Sequence, residues 1–277
     1  MTRIALVQQR ATTDKAENRK RGLQALEMAA AQGAQIVAFA ELAFEPFYPQ
    51  KRPTGCPVAE FAEPVPGPTT QAFAELAGRL GVVVVLNLFE SAGDQCYDCS
   101  PVIDADGWLL GRTRMVHITD YAGFHEQDYY SPGDLGAPVY ETAAGRLGVA
   151  ICYDRHFPEY MRALALGGAD LVVVPQVGVV GEWPEGLYEA EMRTVAFQNG
   201  YFIALCNRVG REEIVEFAGE SFVCTPEGVI VARGLRGEEQ ILLADVDLSA
   251  AARSHARRLF LRHRRPDLYA AWLSRSG

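Results

Sequence analysis

The sequence predicts an α/β fold from three observations. Short apolar stretches of strand length alternate along the chain with longer stretches that have the helical period. Residues 82–89 are interpreted as one apolar strand, a pattern typical of a strand covered on both faces. Asp106-Gly107 separates two further strand-like stretches and marks a hairpin turn. At 277 residues, the chain is long enough to bury the core of one such domain.

The first elements follow directly from this alternation. A strand is predicted at 3–9 and a helix near 14–32, where apolar residues recur on the 3.6 period until Gly33 ends the helix. A second strand is predicted at 35–40, and a proline-rich loop at 46–68 follows it.

The later elements continue the pattern without an internal repeat or a linker. Helices are predicted at 69–79, from about 159 to 166, and at 184–199. Strands are predicted at 82–89, 100–104, 108–116, 147–152, 170–175 and 201–206, followed by a hairpin within 221–231 and a strand at 240–246. The chain is therefore expected to form a single domain over residues 1–277.

Composition excludes several classes of protein. The formal net charge of −9 argues against a nucleic-acid partner. No apolar run is long enough to cross a bilayer, so no membrane partner is expected. Residues 4–7 are too short an apolar stretch for a secretory signal and are interpreted as part of the first strand. A cytoplasmic protein is the expectation.

The six cysteines are expected to be free thiols. They lie at positions 56, 96, 99, 152, 206 and 224. Cys96 and Cys99 have the spacing of a redox or zinc pair, but no second pair or histidine cluster completes such a site. No metal and no cofactor is therefore predicted, and Cys206 and Cys224 are expected in the core.

Two reactive side chains follow buried strands. Residues 147–152 form an apolar stretch ending on Cys152, and the chain then turns into a helix, whose positive end favours a thiolate. Glu41 follows the strand at 35–40. A thiol and a carboxylate so placed supply a nucleophile and its base. The alternatives are an inert buried thiol and a carboxylate held in an ion pair.

The chain resembles the carbon–nitrogen hydrolase (nitrilase) superfamily, whose signature is a Glu, a Lys and a Cys on separate strands. Its Glu motif matches residues 39–42, its Cys motif matches 145–154, and the strand–turn–strand before its Lys matches 102–111. Further matches lie at 67–69, 207–210 and 264–269, so the resemblance covers nearly the whole chain.

This resemblance implies a four-layer αββα sandwich whose C-terminal tail, about 250–277, pairs subunits. The basic segment at 253–265 is then expected to contact a second copy in a homodimer or higher homo-oligomer. A solvated run of charge is the alternative.

The family lysine is missing. Its place, two residues before His117-Ile118, holds Met115, and the chain's lysines are Lys15, Lys20 and Lys51. Methionine has neither a charge nor an N–H donor. In the family the ammonium and the backbone N–H after the cysteine stabilise the oxyanion. That N–H belongs to Tyr153 here. Losing one such donor typically costs a hundred- to a thousandfold in rate.

A second carboxylate is expected beside the thiol. The resemblance places the family's additional glutamate at Glu126, with an ordinary loop carboxylate as the alternative. Carboxylates beside a thiol without an ammonium should raise the pKa of the thiol and of at least one carboxyl group. Because side chains alternate along a strand, Arg114 should point away from Met115. His117 is expected to be structural.

Three cationic side chains are candidates for the missing charge. His125 lies beside Glu126, Arg155 follows the nucleophile by three residues, and Lys51 lies in the loop after Glu41. The hypothesis is that a histidine or an arginine partly replaces the lysine.

The substrate clues divide between two branches of the family. Residues 129–139 and 151–158 resemble β-ureidopropionase and N-carbamoyl amino acid hydrolases, whereas 67–90 and 264–269 resemble enzymes acting on N-carbamoylputrescine. Arg155 suits a carboxylate and would repel an ammonium. The alternative for Arg155 is an ion pair with Glu159, four residues later.

The favoured function is an amidohydrolase of small N-carbamoyl (ureido) acids. In this interpretation Glu41 takes the proton of Cys152, the Tyr153 N–H stabilises the oxyanion, Glu126 orients the ureido group and Arg155 binds the acid. One alternative is a pseudoenzyme, disabled by Met115, that binds a ligand or partner. Another is an amidase acting on N-carbamoylputrescine or a different amide.

Overall fold

The predicted α/β fold is confirmed in a computed structural model that describes residues 1–55 and 57–274. The strands are β1 (Thr2–Gln8), β2 (Ile36–Phe39), β3 (Val83–Val85), β4 (Leu88–Ala92), β5 (Gln95–Ile103), β6 (Leu109–Arg114), β7 (Asp120–Tyr121), β8 (Phe124–His125), β9 (Val139–Thr142), β10 (Gly145–Val149), β11 (Leu171–Gln176), β12 (Phe202–Asn207), β13 (Val209–Arg211), β14 (Glu216–Ala218), β15 (Phe222–Cys224), β16 (Ile230–Arg233) and β17 (Gln240–Val246). The helices are α1 (Lys15–Ala31), α2 (Pro68–Leu80), α3 (Pro158–Leu166), α4 (Leu187–Asn199), α5 (Ala250–Arg253) and α6 (Pro266–Leu273).

The chain builds two principal sheets. The first has the strand order β17-β1-β2-β3-β5-β4, with β6 on the other side of β5, and the second has the order β16-β15-β12-β11-β10-β9. The central strands β1, β2 and β3 run parallel, as do β10, β11 and β12. Chemistry in such sheets lies beyond the carboxyl ends of the parallel strands, which is where Glu41 and Cys152 follow β2 and β10.

Side-chain alternation along β2 explains the layers. Ile36 and Ala38 belong to the core between the two sheets, whereas Val37 and Phe39 pack with residues of α1 and α2, including Phe73. The outer face of the second sheet packs with α3 and α4 in the same way. The resulting helix–sheet–sheet–helix order is the four-layer αββα sandwich that the resemblance implied.

Local signals define the first two helices. The carboxylate of Asp14 accepts the backbone N–H of Glu17 at 3.0 Å and caps α1. Pro68 opens α2, and Gly81 ends it with a left-handed φ of 70°.

The interpretation of residues 82–89 as one strand is wrong. Asn87 divides the segment into β3 and β4, and it is fully buried. A buried amide must find partners, and Asn87 bonds to Leu42, Asp98 and Ser100 across neighbouring elements. At Asn87 these side-chain hydrogen bonds stand where a continuous strand would have backbone pairing.

Other element boundaries also differ from the expectation. β5 begins at Gln95 rather than at residue 100, and α4 begins at Leu187, after Gly186 in a left-handed conformation. The strand before the nucleophile ends at Val149, so the thiol lies three residues beyond it.

The described cysteines carry free thiols, at positions 96, 99, 152, 206 and 224, while Cys56 lies outside the described residues. None of the helices in the described part of the chain combines the length and hydropathy that a bilayer crossing requires.

The tail contains α5, a π-helical turn at Ala256–Phe260 and α6, and residues 275–277 lie outside the described residues. Its basic side chains partly pair within the chain, for example Arg257 with Asp170 at 3.1 Å. Several large apolar side chains of the tail remain exposed: Leu259, Phe260, Leu268, Trp272 and Leu273.

Candidate active site

Cys152 occupies a strained turn between β10 and α3. Its backbone φ is +41°, a left-handed value unusual for a residue with a Cβ, and its side chain is buried. It opens a 3₁₀ turn, Cys152–His156, that includes Tyr153, whereas α3 begins only at Pro158. A 3₁₀ turn therefore stands between Cys152 and the regular helix, where the sequence predicted a helix directly after the thiol.

Glu41 is fully buried, and Cys152 packs in the same core cluster as Ala40 and Leu42, the residues on either side of Glu41. The backbone after it is fixed from both sides. The N–H of Leu42 donates to Oδ1 of Asn87 at 2.7 Å, and its carbonyl accepts Nη1 of Arg208 at 2.8 Å. Leu42 itself has a φ of +44°. These bonds hold the candidate base against the candidate nucleophile.

Glu126 is the third fully buried member of the site. It opens the 3₁₀ turn Glu126–Asp128, and its Oε2 accepts the backbone N–H of Thr119 at 3.4 Å. Its charge acts on both Glu41 and Cys152. The structure thus brings Cys152, Glu41 and Glu126 together.

Met115 remains in this site as a buried, uncharged side chain. It belongs to the same apolar cluster as Cys152, and its N–H donates to the carbonyl of Asp98 at 2.9 Å. Arg114 points the other way, where it pairs with Glu90 at 2.7 Å. No register shift therefore brings the neighbouring guanidinium to the place of the family's ammonium.

His117 is structural, as expected. Its Nδ1 bonds to the buried carboxylate of Asp154 at 2.7 Å, and its ring stacks on Phe157. Asp154 also accepts the backbone N–H groups of Val116 and His117. This hub anchors the chain after Met115 to the turn that carries Cys152.

Of the three candidate cations, Arg155 is the one that contacts the thiol. It is 3% exposed, and its Nη1 donates to the carbonyl of Cys152 at 2.9 Å and lies 3.9 Å from Sγ. The alternative for Arg155, an ion pair with Glu159, is wrong, because Nε lies 3.3 Å from Glu191 on α4 instead.

The other two candidates pair with surface carboxylates. Nδ1 of His125 is 2.8 Å from Asp120, and Nζ of Lys51 pairs with Glu213. Neither contact directs positive charge toward the thiol.

The electrostatics follow the predicted direction. Burial, together with Glu41 and Glu126, raises the pKa of the Cys152 thiol well above its ordinary value, against the opposing effects of Arg155 and the backbone N–H of Val177. Burial and neighbouring carboxylates also raise the pKa of Glu41 and of Glu126. The resting site therefore disfavours the thiolate and the ionised carboxylates.

Sequence reasoning missed four residues that shape this site: Asn87, Asp98, Tyr130 and Arg208. Asn87 and Asp98 interrupt apolar strand sequences, and that interruption was the available signal. Arg208 is fully buried and ties Leu42 to Glu212. Tyr130 is 4% exposed and lies close to Glu41, Asp98 and Glu126. Nothing in the sequence pattern distinguished the last two.

Comparison with known proteins gives consistent results. The family model described as carbon–nitrogen hydrolase matches residues 3–256. The chain is 36% identical over 297 residues to N-carbamoylputrescine amidase of Solanum lycopersicum, covering 99% of this chain and 95% of that protein. It is 32% identical over 235 residues to β-ureidopropionase of Arabidopsis thaliana, covering 78% and 57%. The crystal structure of a carbon–nitrogen hydrolase from Helicobacter pylori G27 superposes with a TM-score of 0.92 at 28% identity, covering 100% of this chain and 99% of that one.

Proposed function

Since the chain belongs to the carbon–nitrogen hydrolase family, we propose that it hydrolyses the ureido group of a small N-carbamoyl compound, with Cys152 as the nucleophile. The observation that carries this proposal is the burial of the Cys152 thiol among the neighbours of the fully buried Glu41, whose charge acts on the thiol. A thiol paired with its own base, in a pocket shielded from water, suits covalent attack on an unactivated amide carbon.

The reaction divides into two steps at Cys152. Glu41 takes the proton of the thiol while sulfur attacks the carbamoyl carbon, and the N–H of Tyr153 stabilises the oxyanion. Glu41 then returns the proton to the departing amine nitrogen, which leaves a carbamoyl thioester on Cys152. Water activated by Glu41 hydrolyses this thioester to carbamate, which decomposes to ammonia and carbon dioxide. Glu126 orients the NH₂ end of the ureido group.

Arg155 contributes positive charge without replacing the family's ammonium at its usual position. Its Nη1 lies close enough to Sγ to stabilise a thiolate. Met115 still leaves the oxyanion without one donor, so turnover roughly a hundred- to a thousandfold below that of a lysine-containing site is expected.

The substrate's remote end is the point on which two candidates differ. Arg155 favours a ureido acid, but its charge is already opposed by Glu191. Glu182 adds a second carboxylate and accepts the hydroxyl of Tyr121 at 2.5 Å and that of Tyr188. These carboxylates, with the resemblance to N-carbamoylputrescine amidase, favour an N-carbamoyl amine as the second candidate.

The test is incubation with N-carbamoyl-β-alanine and, separately, N-carbamoylputrescine, followed by ammonia assay and intact-mass analysis. Ammonia release that disappears in Cys152→Ala supports the proposal, and the relative kcat/KM assigns the substrate class. A persistent adduct without ammonia indicates blocked deacylation. Neither adduct nor ammonia across a panel of amides contradicts the proposal and favours the pseudoenzyme that binds without turnover.

We also propose that the tail mediates homo-oligomerisation. The exposed apolar side chains of the tail lie near exposed Phe197 on α4, whose ring is 5.6 Å from that of Phe260. An oligomer in light scattering that becomes monomeric on Phe260→Asp supports this assignment, and an unchanged mass contradicts it. The single domain over 1–277, the cytoplasmic location and the absence of a cofactor stay predictions.

A further inference from the structure

A buried carboxyl group outside the expected catalytic set lies beside the candidate base. Asp98 lies on β5, is fully buried, and is held beside Glu41, because the Asn87 side chain bonds both to Asp98 and to the N–H of Leu42, the residue after Glu41. Its Oδ1 accepts Nδ2 of Asn87 at 2.6 Å. Within the described chain, no N–H or hydroxyl donates to its Oδ2 or to either carboxylate oxygen of Glu41. The two carboxyl groups therefore face each other without an intervening donor.

The fold fixes this contact from two directions. Asn87 holds both sides of it, because its Oδ1 accepts the N–H of Leu42 while its Nδ2 donates to Asp98. On the other side, the carbonyl of Asp98 accepts the N–H of Met115, so Asp98 lies opposite the position that lacks the family's ammonium. The backbone and Asn87 thus fix the positions of Asp98 and Glu41, and Met115, which bonds to the backbone of Asp98, carries no charge.

Among the residues that the structure describes, the other groups around the pair do not supply the missing cation. Glu126, Asp154 and Glu45 add negative charge near Asp98 or Glu41, and Tyr130 and Cys152 are neutral when protonated. Two buried guanidinium groups pair with other carboxylates: Arg208, whose charge also acts on Glu41, pairs with Glu212, and Arg155 lies beside the thiol and Glu191. Lys15 reaches Glu45 at 2.7 Å.

We propose that Asp98 and Glu41 share a proton across their contact, and that Asp98 is thereby the positioning residue that controls when Glu41 is free to act as a base. Two carboxylates in contact within a dry site cannot both ionise. In the cycle that the proposed function requires, Cys152 gives its proton to Glu41 only while the shared proton is on Asp98. When Glu41 passes its proton to the leaving amine, the pair again holds one proton.

The acidity of the two groups agrees with this arrangement. Burial raises the pKa of Asp98 to about 7, and burial and Asp98 raise the pKa of Glu41 well above its ordinary value. A proton held between the two groups therefore restrains the base until the pH rises.

Asp98→Asn is the sharpest test, because asparagine keeps the oxygen that accepts from Asn87 and places an N–H toward Glu41. Without a competing carboxylate, Glu41 should ionise at lower pH. Alkylation of Cys152 by iodoacetamide, followed by intact mass across pH, reports this without ureido turnover. We expect the acid limb of the alkylation rate to move down by about one pH unit, which is about tenfold faster reaction at pH 7. The matched control is Asp94→Asn, at the exposed turn between β4 and β5.

Equilibrium unfolding gives a second readout. A folded-state pKa raised to about 7 means that the folded protein holds a proton that the unfolded chain releases near pH 4. The unfolding constant of the wild type relative to Asp98→Asn should therefore rise about tenfold per pH unit between pH 4 and 7. Glu41→Gln should also weaken the dependence of the unfolding constant on pH. This variant provides the test if Asp98→Asn does not fold.

The inference is overturned if Asp98→Asn leaves the acid limb of the alkylation rate in place and if the ratio of the unfolding constants does not change with pH. Asp98 would then be a structural residue. A shifted limb without hydrolysis of any ureido compound would leave the inference intact and count against the proposed function instead.

Discussion

Arg114 and Met115 are neighbours on the chain at the end of β6, yet their surroundings have opposite charge balance. On the outer face, Arg114 bonds to both oxygens of buried Glu90 at 2.7 and 2.8 Å and also reaches Asp134. On the inner face, Met115 lies with Glu41, Asp98 and Glu126 around the thiol, and none of these carboxyl groups pairs with a lysine or arginine in the described residues. The same fold thus neutralises charge with an ion pair on one face and raises the pKa of carboxyl groups that lack such a partner on the other.

Breaking the outer arrangement should have the largest effect. Arg114→Met would leave Glu90, which is 1% exposed, without its bidentate partner. Removing one member of a buried ion pair typically costs about 3–5 kcal/mol of unfolding free energy, and we expect the low end of that range because Arg112 stays 3.0 Å from Glu90. Urea denaturation measures the loss. Lys20→Met, which removes an exposed pair with Glu17 on α1, is the control and should leave the midpoint unchanged. Equal midpoints for both variants would contradict the contrast between the faces.

A cation on the inner face should increase the activity of the site. Met115→Lys would place an ammonium among the carboxyl groups, lower the pKa of Cys152 and add an oxyanion donor. We expect kcat/KM to rise about a hundredfold, the reverse of losing one such donor. Trp108→Lys adds a charge at an exposed position before β6 and controls for net charge. A Met115→Lys protein that folds but gains neither turnover nor alkylation rate would show that the missing lysine does not limit this site.

The contribution of Arg155 should be smaller, because the guanidinium acts on the thiol from one side. Arg155→Gln removes a cation 3.9 Å from Sγ, which raises the pKa of the thiol further and reduces the thiolate fraction at fixed pH. Alkylation of Cys152 at pH 8 should slow by about tenfold. His125→Gln should leave it unchanged, because His125 pairs with Asp120. If both variants are alkylated at the wild-type rate, neither side chain acts as the replacement cation.

The smallest expected effect concerns Tyr130. Its hydroxyl is buried and has no hydrogen-bond partner among the described side chains and backbone. Tyr130→Phe removes an unsatisfied polar group, so the unfolding free energy should rise by up to about 1 kcal/mol. Thermal or urea unfolding measures it. If the unfolding free energy instead falls by more than that amount, the hydroxyl stabilises the neighbouring carboxyl groups and the prediction is wrong.

Much of the site was predictable from local pattern. Strand alternation placed Arg114 and Met115 on opposite faces, and the apolar stretches before Glu41 and Cys152 indicated that both side chains follow buried strands. The resemblance supplied Glu126 and the αββα layers. These features depend on residues close in sequence or on ordered motifs, which a single chain displays directly.

Other features required the tertiary structure. Arg155 pairs with Glu191 rather than Glu159 because it lies in a 3₁₀ turn before α3 begins, so the helical i, i+4 spacing does not apply to it. Asn87 ends one strand because its partners are Leu42 and Asp98, far apart in the sequence.

The sequence by itself determined which reactive groups the chain carries, the order of its layers, and the absence of an ammonium at position 115. Only the tertiary structure decided how the remaining charges are shared: Arg155 with the thiol, Arg208 with the backbone of Leu42, and Asp98 with Glu41. The physical reason is that a pKa or a buried polar contact depends on groups brought together across strands and sheets. Patterns of neighbouring residues do not encode those distances.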